Sequence, residues 1–362
     1  MQGSRHTRLR ARKSRRNASY SRQLLVEQLE DRQLLATFNL TDAPFDGDPG
    51  SLRATITTAN SNAEDDQINL AAGEYSIGEF GLNETANATG DFNFTEVNRT
   101  ITITGADRDT TMILGGLLDR VMLINANVNV VIENATLQQG AIDEDFHNEL
   151  FGAVILNRGN LTLNNVKINE NLNGVDGGAI YTGPGSTLTL QDSELSDNIG
   201  ERGANLFADG ATVNIHQSQI LNGIGADGAG IFALDTDLTI TDSTIDSNSG
   251  GDAGNEIGIG GGIHIASAQG TFSLDLIRST VSQNTATSSG GVHASGNGTV
   301  LIENSTISNN TATGNAQSDG DVGGIFAGNG ATVDVNQSTI VRKTLACGRE
   351  SLIGPPAPLQ LI

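Results

Sequence analysis

The side chains best equipped for chemistry fall into two patterns. One is a column that recurs after short Gly-rich units: Tyr181, Phe207, Phe232, His264, His293 and Phe326. Each member follows an aliphatic residue (Ile180, Leu206, Ile231, Ile263, Val292, Ile325), so the two sets point to opposite sides of a strand. With the aliphatic set inward, the rings form either an external stripe for glycans or a protein partner, or a packing stack that needs no ligand. His264 and His293 fall on neighbouring repeats, near enough to share a metal ion. Two imidazoles without a third ligand do not make such a site, so no metal site is assigned.

The other pattern is acidic. Three intervals, near 141–150, 249–260 and 313–322, are longer than the rest and collect carboxylates. The first carries Asp143, Glu144, Asp145 and Glu149 with His147; the others add Asp252, Glu256, Asp319 and Asp321. Equivalent insertions in a repeat protein lie along one edge, where loops concentrate function. These residues are the expected partner- or cation-binding edge. Asp46-Gly47-Asp48 and Asp319-Gly320-Asp321 have the oxygen donors of calcium loops, without EF-hand spacing or a nonapeptide repeat. No cofactor is expected, with calcium as the alternative.

Catalytic constellations are harder to assemble. Glycoside hydrolysis needs paired carboxylates roughly 5–9.5 Å apart. Asp275 and Asp334 share a strand position, but two repeats apart with Leu301 between them. Bases in the repeat body are few, chiefly Arg158, Lys167, Arg202 and Arg278, and no stack of Asp residues accompanies them. The recurrent Ser residues have no neighbouring base to activate one as a nucleophile. Sugar platforms favour aromatic rings, and the chain has 3 Tyr and no Trp.

These residues are positioned by a repeat. Leu188–Asn198 is echoed at Leu238–Asn248 and again at 300–310. Aligning all such segments gives eight coils anchored on Ala135, Val166, Ser193, Ser218, Ser243, Ser279, Ser305 and Ser338, spaced by 31, 27, 25, 25, 36, 26 and 33 residues. Three columns are aliphatic throughout. The first is Val130, Leu161, Leu188, Val213, Leu238, Leu274, Val300, Val333. Two residues on come Ile132, Leu163, Leu190, Ile215, Ile240, Leu276, Ile302, Val335. The third is Leu137, Ile168, Leu195, Ile220, Ile245, Val281, Ile307, Ile340.

Alternation with polar residues means strands with one buried face. A repeat this short buries its apolar side only by stacking on the next, with backbones ~4.8 Å apart. The pattern predicts an all-β parallel β-solenoid of roughly eight to ten coils. Five residues after the anchors come Asn171, Asn198, Asn248, Asn284 and Asn310, with Gly140 and Gly223 as exceptions. A buried Asn ladder follows, because the amide both donates and accepts along the stack.

Composition narrows the class. The chain has 362 residues, 37% of them hydrophobic, and 45 Gly without a three-residue period. That excludes collagen and provides a core. No run approaches the ~18 apolar residues of a membrane span. The lone Cys347 forms no intrachain disulfide. Residues 1–36 carry nine bases against three acids, a net of +6, so the other residues hold −28 of the total −22. A body this acidic repels nucleic acid.

Leu25 to Ala36 resembles the "VEQLEDRxLLA" leader of large planctomycete surface and secreted proteins, which implies export. Gly177-Gly178-Ala179-Ile180, Gly261-Gly262-Ile263, Gly290-Gly291-Val292 and Gly323-Gly324-Ile325 resemble one half of polymorphic outer-membrane protein repeats. The "FxxN" half appears as Leu195-x-x-Asn198 and Ile245-x-x-Asn248. The wider resemblance is to right-handed parallel β-helices of the pectate-lyase superfamily, over about 98–340. Lyases of that superfamily use a carboxylate-bound calcium with an Arg or Lys base, and its galacturonase motifs are absent here. Gly50-Ser51-Leu52-Arg53-Ala54-Thr55-Ile56 resembles the "CSLREAI" segment found ahead of such helices.

The expected organisation is a basic export leader (1–36), an N-terminal cap (37–97), a parallel β-helix (98–341) and a divergent tail (342–362). The tail reads as a truncation, since Lys343 stands where the ladder calls for Asn. The expected function is a non-catalytic secreted or cell-surface module, at the outer membrane of a bacterium, for adhesion or scaffolding. Its partners would be an extracellular polysaccharide or a surface protein, and its state monomeric or associated end to end. The alternative is a secreted polysaccharide lyase or hydrolase of the same fold.

Overall fold

The computed structural model describes residues 35–62, 64–81, 84–142, 149–171, 176–251, 258–314 and 322–341. Among them the chain winds as a right-handed parallel β-helix whose successive coils feed three long sheets. The first sheet has eleven parallel strands, from Leu35–Leu40 to Thr332–Asn336. The second has ten, from Gly73–Ser76 to Thr339–Ile340, and the third nine, from Phe92–Phe94 to Ile325–Gly328. A fourth sheet of four short strands, Ile224–Gly225 to Thr311–Ala312, fills one corner.

The aliphatic columns set the register. Leu190 pairs with Ile215 and Ile215 with Ile240, and all three are at most 1% exposed. Val130 pairs with Leu161 in the first column, and Leu137 with Ile168 in the third. One continuous core results, because every inward residue lies against its equivalents above and below. Two insertions leave this register undisturbed: Ile240 still pairs with Leu276 across a 36-residue coil, and Ile302 with Val335 across a 33-residue one.

Parallel pairing also runs upstream of residue 98, into the segment expected as an N-terminal cap. Ile68 pairs with Ile103 and Tyr75 with Ile113, and Leu35–Leu40 pairs with Asp65–Leu70. Ser51 caps the helix Leu52–Ala59 by accepting a hydrogen bond from the Ala54 amide at 3.2 Å. Leu52, Ile56 and Ala59 are buried in the core at this end.

The corners carry two polar ladders. Each anchor Ser accepts the amide of the anchor one coil before it, as from Ser193 to Ser218 and from Ser218 to Ser243, both at 3.0 Å. The Asn248 amide donates to Asn284 Oδ1 at 2.9 Å, and that of Asn284 to Asn310 Oδ1 at 3.0 Å. These asparagines are fully buried, so the ladder satisfies groups that would otherwise be orphaned.

Candidate functional site

The third sheet carries the ring column. Ile180, Leu206, Ile231, Ile263 and Val292 lie in the main core, and Ile325 packs against it. Their neighbours face the other way. Leu123, Leu156, Tyr181, Phe207 and Phe232 form a separate apolar cluster, joined by Phe151 and Leu234. Successive ring centroids from Tyr181 through Phe207, Phe232, His264 and His293 to Phe326 are 5.2, 4.8, 4.9, 4.9 and 4.5 Å apart, close to the coil rise.

The column is outside the core but not open to solvent. Tyr181, Phe207, Phe232, His264 and His293 are at most 9% exposed, and only Phe326 is half-buried. Gly-rich segments entering each strand fold back over it. Gly177, Gly203, Gly228 and Gly260 stand four residues before Tyr181, Phe207, Phe232 and His264, all with positive φ. A Cβ at Gly177 or Gly260 would lie 2.6 Å from the carbonyl of Ile180 or Ile263, so the reversal requires glycine.

Charged groups rim the upper column. The Arg202 guanidinium lies 5.1 Å from the Phe207 centroid and 5.4 Å from that of Phe232, and Nε donates to Asp176 Oδ1 at 2.9 Å. Tyr181 donates its hydroxyl to Asp209 Oδ2 at 3.1 Å. Burial and then the Asp209 carboxylate push this phenol well above its usual range. Phe151 lies 4.5 Å from Tyr181, and nearby Glu149 pairs with Arg158.

The two histidines behave as uncharged members of the stack. His293 Nδ1 is 3.0 Å from Ser289 Oγ, whereas the buried His264 Nδ1 has no hydrogen-bond partner. Burial, followed by the His293 and Arg202 charges, pushes His264 down to about 3, and burial pushes His293 down to about 4. Their rings meet edge to face at 75°. Among the described residues no three His, Cys, Asp or Glu side chains group to hold a metal ion.

Of the acidic edge, only Glu149 lies within the described residues. Asp143, Glu144, Asp145, His147, Asp252, Glu256, Asp319 and Asp321 lie outside them. In the second sheet Thr136–Gln138, Thr244–Asp246 and Thr306–Ser308 precede the insertions, and in the third Ile155–Asn157, Ile263–Ala266 and Ile325–Gly328 follow them. Each insertion therefore falls in the chain between the same two sheets. Asp275 and Asp334 are separated by Leu301, as their spacing implies.

One polar cluster escaped the sequence reading. Arg53 grips both carboxylate oxygens of Asp46 at 2.9 Å and donates to the Asp91 carbonyl at 3.2 Å. Asp46 also accepts the Gly78 amide at 3.0 Å, so its oxygens are already engaged. Arg120 pairs with Asp91 Oδ2 at 3.1 Å and donates to the carbonyls of Phe151 and Gly152, each at 3.0 Å. Burial pushes Asp91 up to about 6 against the opposing pull of Arg120, with Asp119 adding to the rise. The cluster ties the cap helix to the first coils. Asp46 and Arg53 stand seven residues apart, whereas Asp91 and Arg120 are 29 apart and share no motif.

The right-handed β-helix region family matches residues 119–277. Around this β-helix, two solved structures are similar. One is the catalytic domain of a GH87 alpha-1,3-glucanase variant in complex with tetrasaccharides, at 13% identity and TM-score 0.34, covering 87% of this chain and 67% of that one. The other is the catalytic domain of GH87 alpha-1,3-glucanase in complex with nigerose, at 12% identity and TM-score 0.31, with the same coverage of 87% and 67%. No curated protein matches the β-helix in sequence. No helix among its described residues is long and apolar enough to cross a membrane.

Proposed function

We propose that this β-helix is an exported, non-catalytic surface or matrix module that works by adhesion or scaffolding. The observation that carries the reading is the outer face of the eleven-strand sheet. Along it, Asn160 donates to Asn129 Oδ1 at 2.7 Å and Thr187 to Asn160 Oδ1 at 2.8 Å. Gln67 donates to Thr104 at 3.0 Å, and Thr104 to Glu133 Oε2 at 3.0 Å. Polar donors and acceptors, neutral apart from Glu133, thus repeat at the coil rise on a rigid backing, which suits an extended polymer lying across the strands.

Its partners are an extracellular polysaccharide or a surface protein, and the acidic insertions between the second and third sheets are the second contact edge. The leader-like Leu25–Ala36 supports secretion to the cell surface or outer membrane of a bacterium, and the net charge of −22 disfavours nucleic acid. A glycan array probed with the full chain, run beside an assay for unsaturated and reducing products, tests the proposal. Binding without turnover supports it. Release of product from any bound polymer would replace it with the lyase or hydrolase reading.

A further inference from the structure

The outward side of the eleven-strand sheet differs from column to column. Its middle column runs Thr102, Val131, Thr162, Thr189, Asn214 and Thr239, each paired in register with the next. All six are uncharged and half-buried or exposed, and the member that follows is Asp275. At about 4.8 Å per coil they make a neutral track about 24 Å long. The columns beside it are already engaged. Asn129, Asn160 and Thr187 bond in a chain on one side, and Thr104 bonds to Glu133 on the other. Among the described residues nothing bonds to the side chains of Thr162, Thr189, Asn214 or Thr239, so their hydroxyls and amide are left for a ligand.

Charge decides what that ligand can be. The chain carries a net charge of −22. Between residues 121 and 341 it has four cations, Arg158, Lys167, Arg202 and Arg278, and each lies against a carboxylate, of Glu149, Glu194, Asp176 and Asp242 respectively. The charges nearest the track are instead the carboxylates of Glu133, Asp237 and Asp275 on the same strands. We propose that the track takes an uncharged polysaccharide and rejects polyuronates, which rests on the reading of this sheet face as the contact surface. Sugar hydroxyls both donate and accept, as the Thr hydroxyls and the Asn amide do. A polyuronate brings one carboxylate per sugar to a face with no cation to meet it, and is repelled. The track holds no aromatic ring, so affinity is the sum of many weak contacts and grows with polymer length.

Native electrophoresis of the full chain tests this, in gels holding hydroxyethylcellulose, xyloglucan, dextran or polygalacturonate, with EDTA to remove bridging calcium. The expected result is retardation by at least one neutral polymer, little changed by added salt, and none by polygalacturonate. Thr162→Lys/Thr189→Lys should weaken the neutral retention about tenfold, the worth of two hydrogen bonds. The same change on the second sheet, Thr280→Lys/Thr306→Lys, should leave it intact. Because lysines in the track could also loosen the strands, Thr162→Val/Thr189→Val keeps the strand shape and should weaken retention in the same direction. Preference for polygalacturonate, or no retention by any neutral polymer, would overturn the proposal while leaving the face open to a protein partner. Neutral retention that neither track variant moves would overturn the face as the contact, and the proposal with it.

Discussion

Asn205 occupies the space that Gly223 leaves open. A Cβ on Gly223 would lie 2.6 Å from Asn205 Nδ2. Asn205 accepts from Asn198 Nδ2 at 2.8 Å and donates to Asn248 Oδ1 at 3.0 Å, which carries the ladder across the coil that lacks its own asparagine. In later coils the order is reversed. Gly230 faces Asn248, Gly262 faces Asn284 and Gly291 faces Asn310, each so closely that a Cβ on the glycine would lie 3.0, 2.9 and 3.0 Å from the Asn Nδ2. Glycine and asparagine have been exchanged between two facing positions.

The exchange predicts strong coupling. Asn205→Gly alone removes one hydrogen bond from each of the buried Asn198 and Asn248 amides, which keep the Ile168 carbonyl and the Gly223 N–H, at about 1 kcal/mol each. Gly223→Asn alone forces two amides into one space. The double variant restores the arrangement of the neighbouring coils and should be more stable than either single variant. A double-mutant cycle from urea denaturation checks this, and additive losses would refute it.

Removing the middle of a core column should be severe. Ile215, held between Leu190 and Ile240, should lose about 2–5 kcal/mol as Ile215→Ala. Ile215→Asp should prevent cooperative folding, since no partner for a charge lies in that column. Circular dichroism melts give the comparison.

The histidine pair should make stability fall with acidity. Unfolded imidazole takes up a proton near pH 6.5. In the fold, burial holds His264 at about 3 and His293 at about 4, so both stay neutral much further down. Between these values the unfolded chain binds more protons, and stability declines as pH drops from about 6.5 towards 4. Above pH 7 the pair contributes no slope. His264→Phe/His293→Phe, which continues the ring column, should flatten this part of the profile in denaturant titrations. An unchanged slope would assign it to carboxylates instead.

Arg120 should matter more through what it leaves behind than through what it adds. Arg120→Met strands the buried Asp91 carboxylate and should destabilise the fold by about 3–5 kcal/mol. Adding Asp91→Asn removes the stranded charge and should recover a large part of that loss. Equal losses in the single and double variants would mean that the carbonyl contacts of Arg120 dominate.

Shortening the insertions near 141–150, 249–260 and 313–322 should leave the melting temperature within a few degrees and weaken partner binding. Undiminished binding after all three deletions would leave the polar sheet face as the whole contact.

The coils were legible because one physical rule, inward aliphatics every second residue, is written eight times over. Leu190, Ile215 and Ile240 needed no knowledge of distant contacts to be aligned. The same rule fails at Asp66, which pairs with Ile101 in a buried core position where, among the described residues, only Asn62 donates to its carboxylate. Alternation also gave the outward direction of Tyr181, Phe207 and Phe232. It carried no information on the glycine reversals that cover them, since those depend on backbone signs that side-chain periodicity does not encode. Arg53 with Asp46 and Arg120 with Asp91 were hidden for a related reason: each pairing is made once and has no repeat to betray it.

The loosening of the core along the stack, from Val300 and Ile302 at most 1% exposed to half-buried Val333 and Val335 in the last described coil, has a mechanical consequence. Strands lie across the long axis, so a pull on the C-terminal end loads the edge of the last coil instead of shearing all coils at once. The half-buried Val333 and Val335 give way before the closed coils behind them. Each 25-residue turn that peels away then lengthens the chain by about 80–90 Å. Under tension the molecule lengthens stepwise from one end, the last coil yielding first and the Arg53 clasp last.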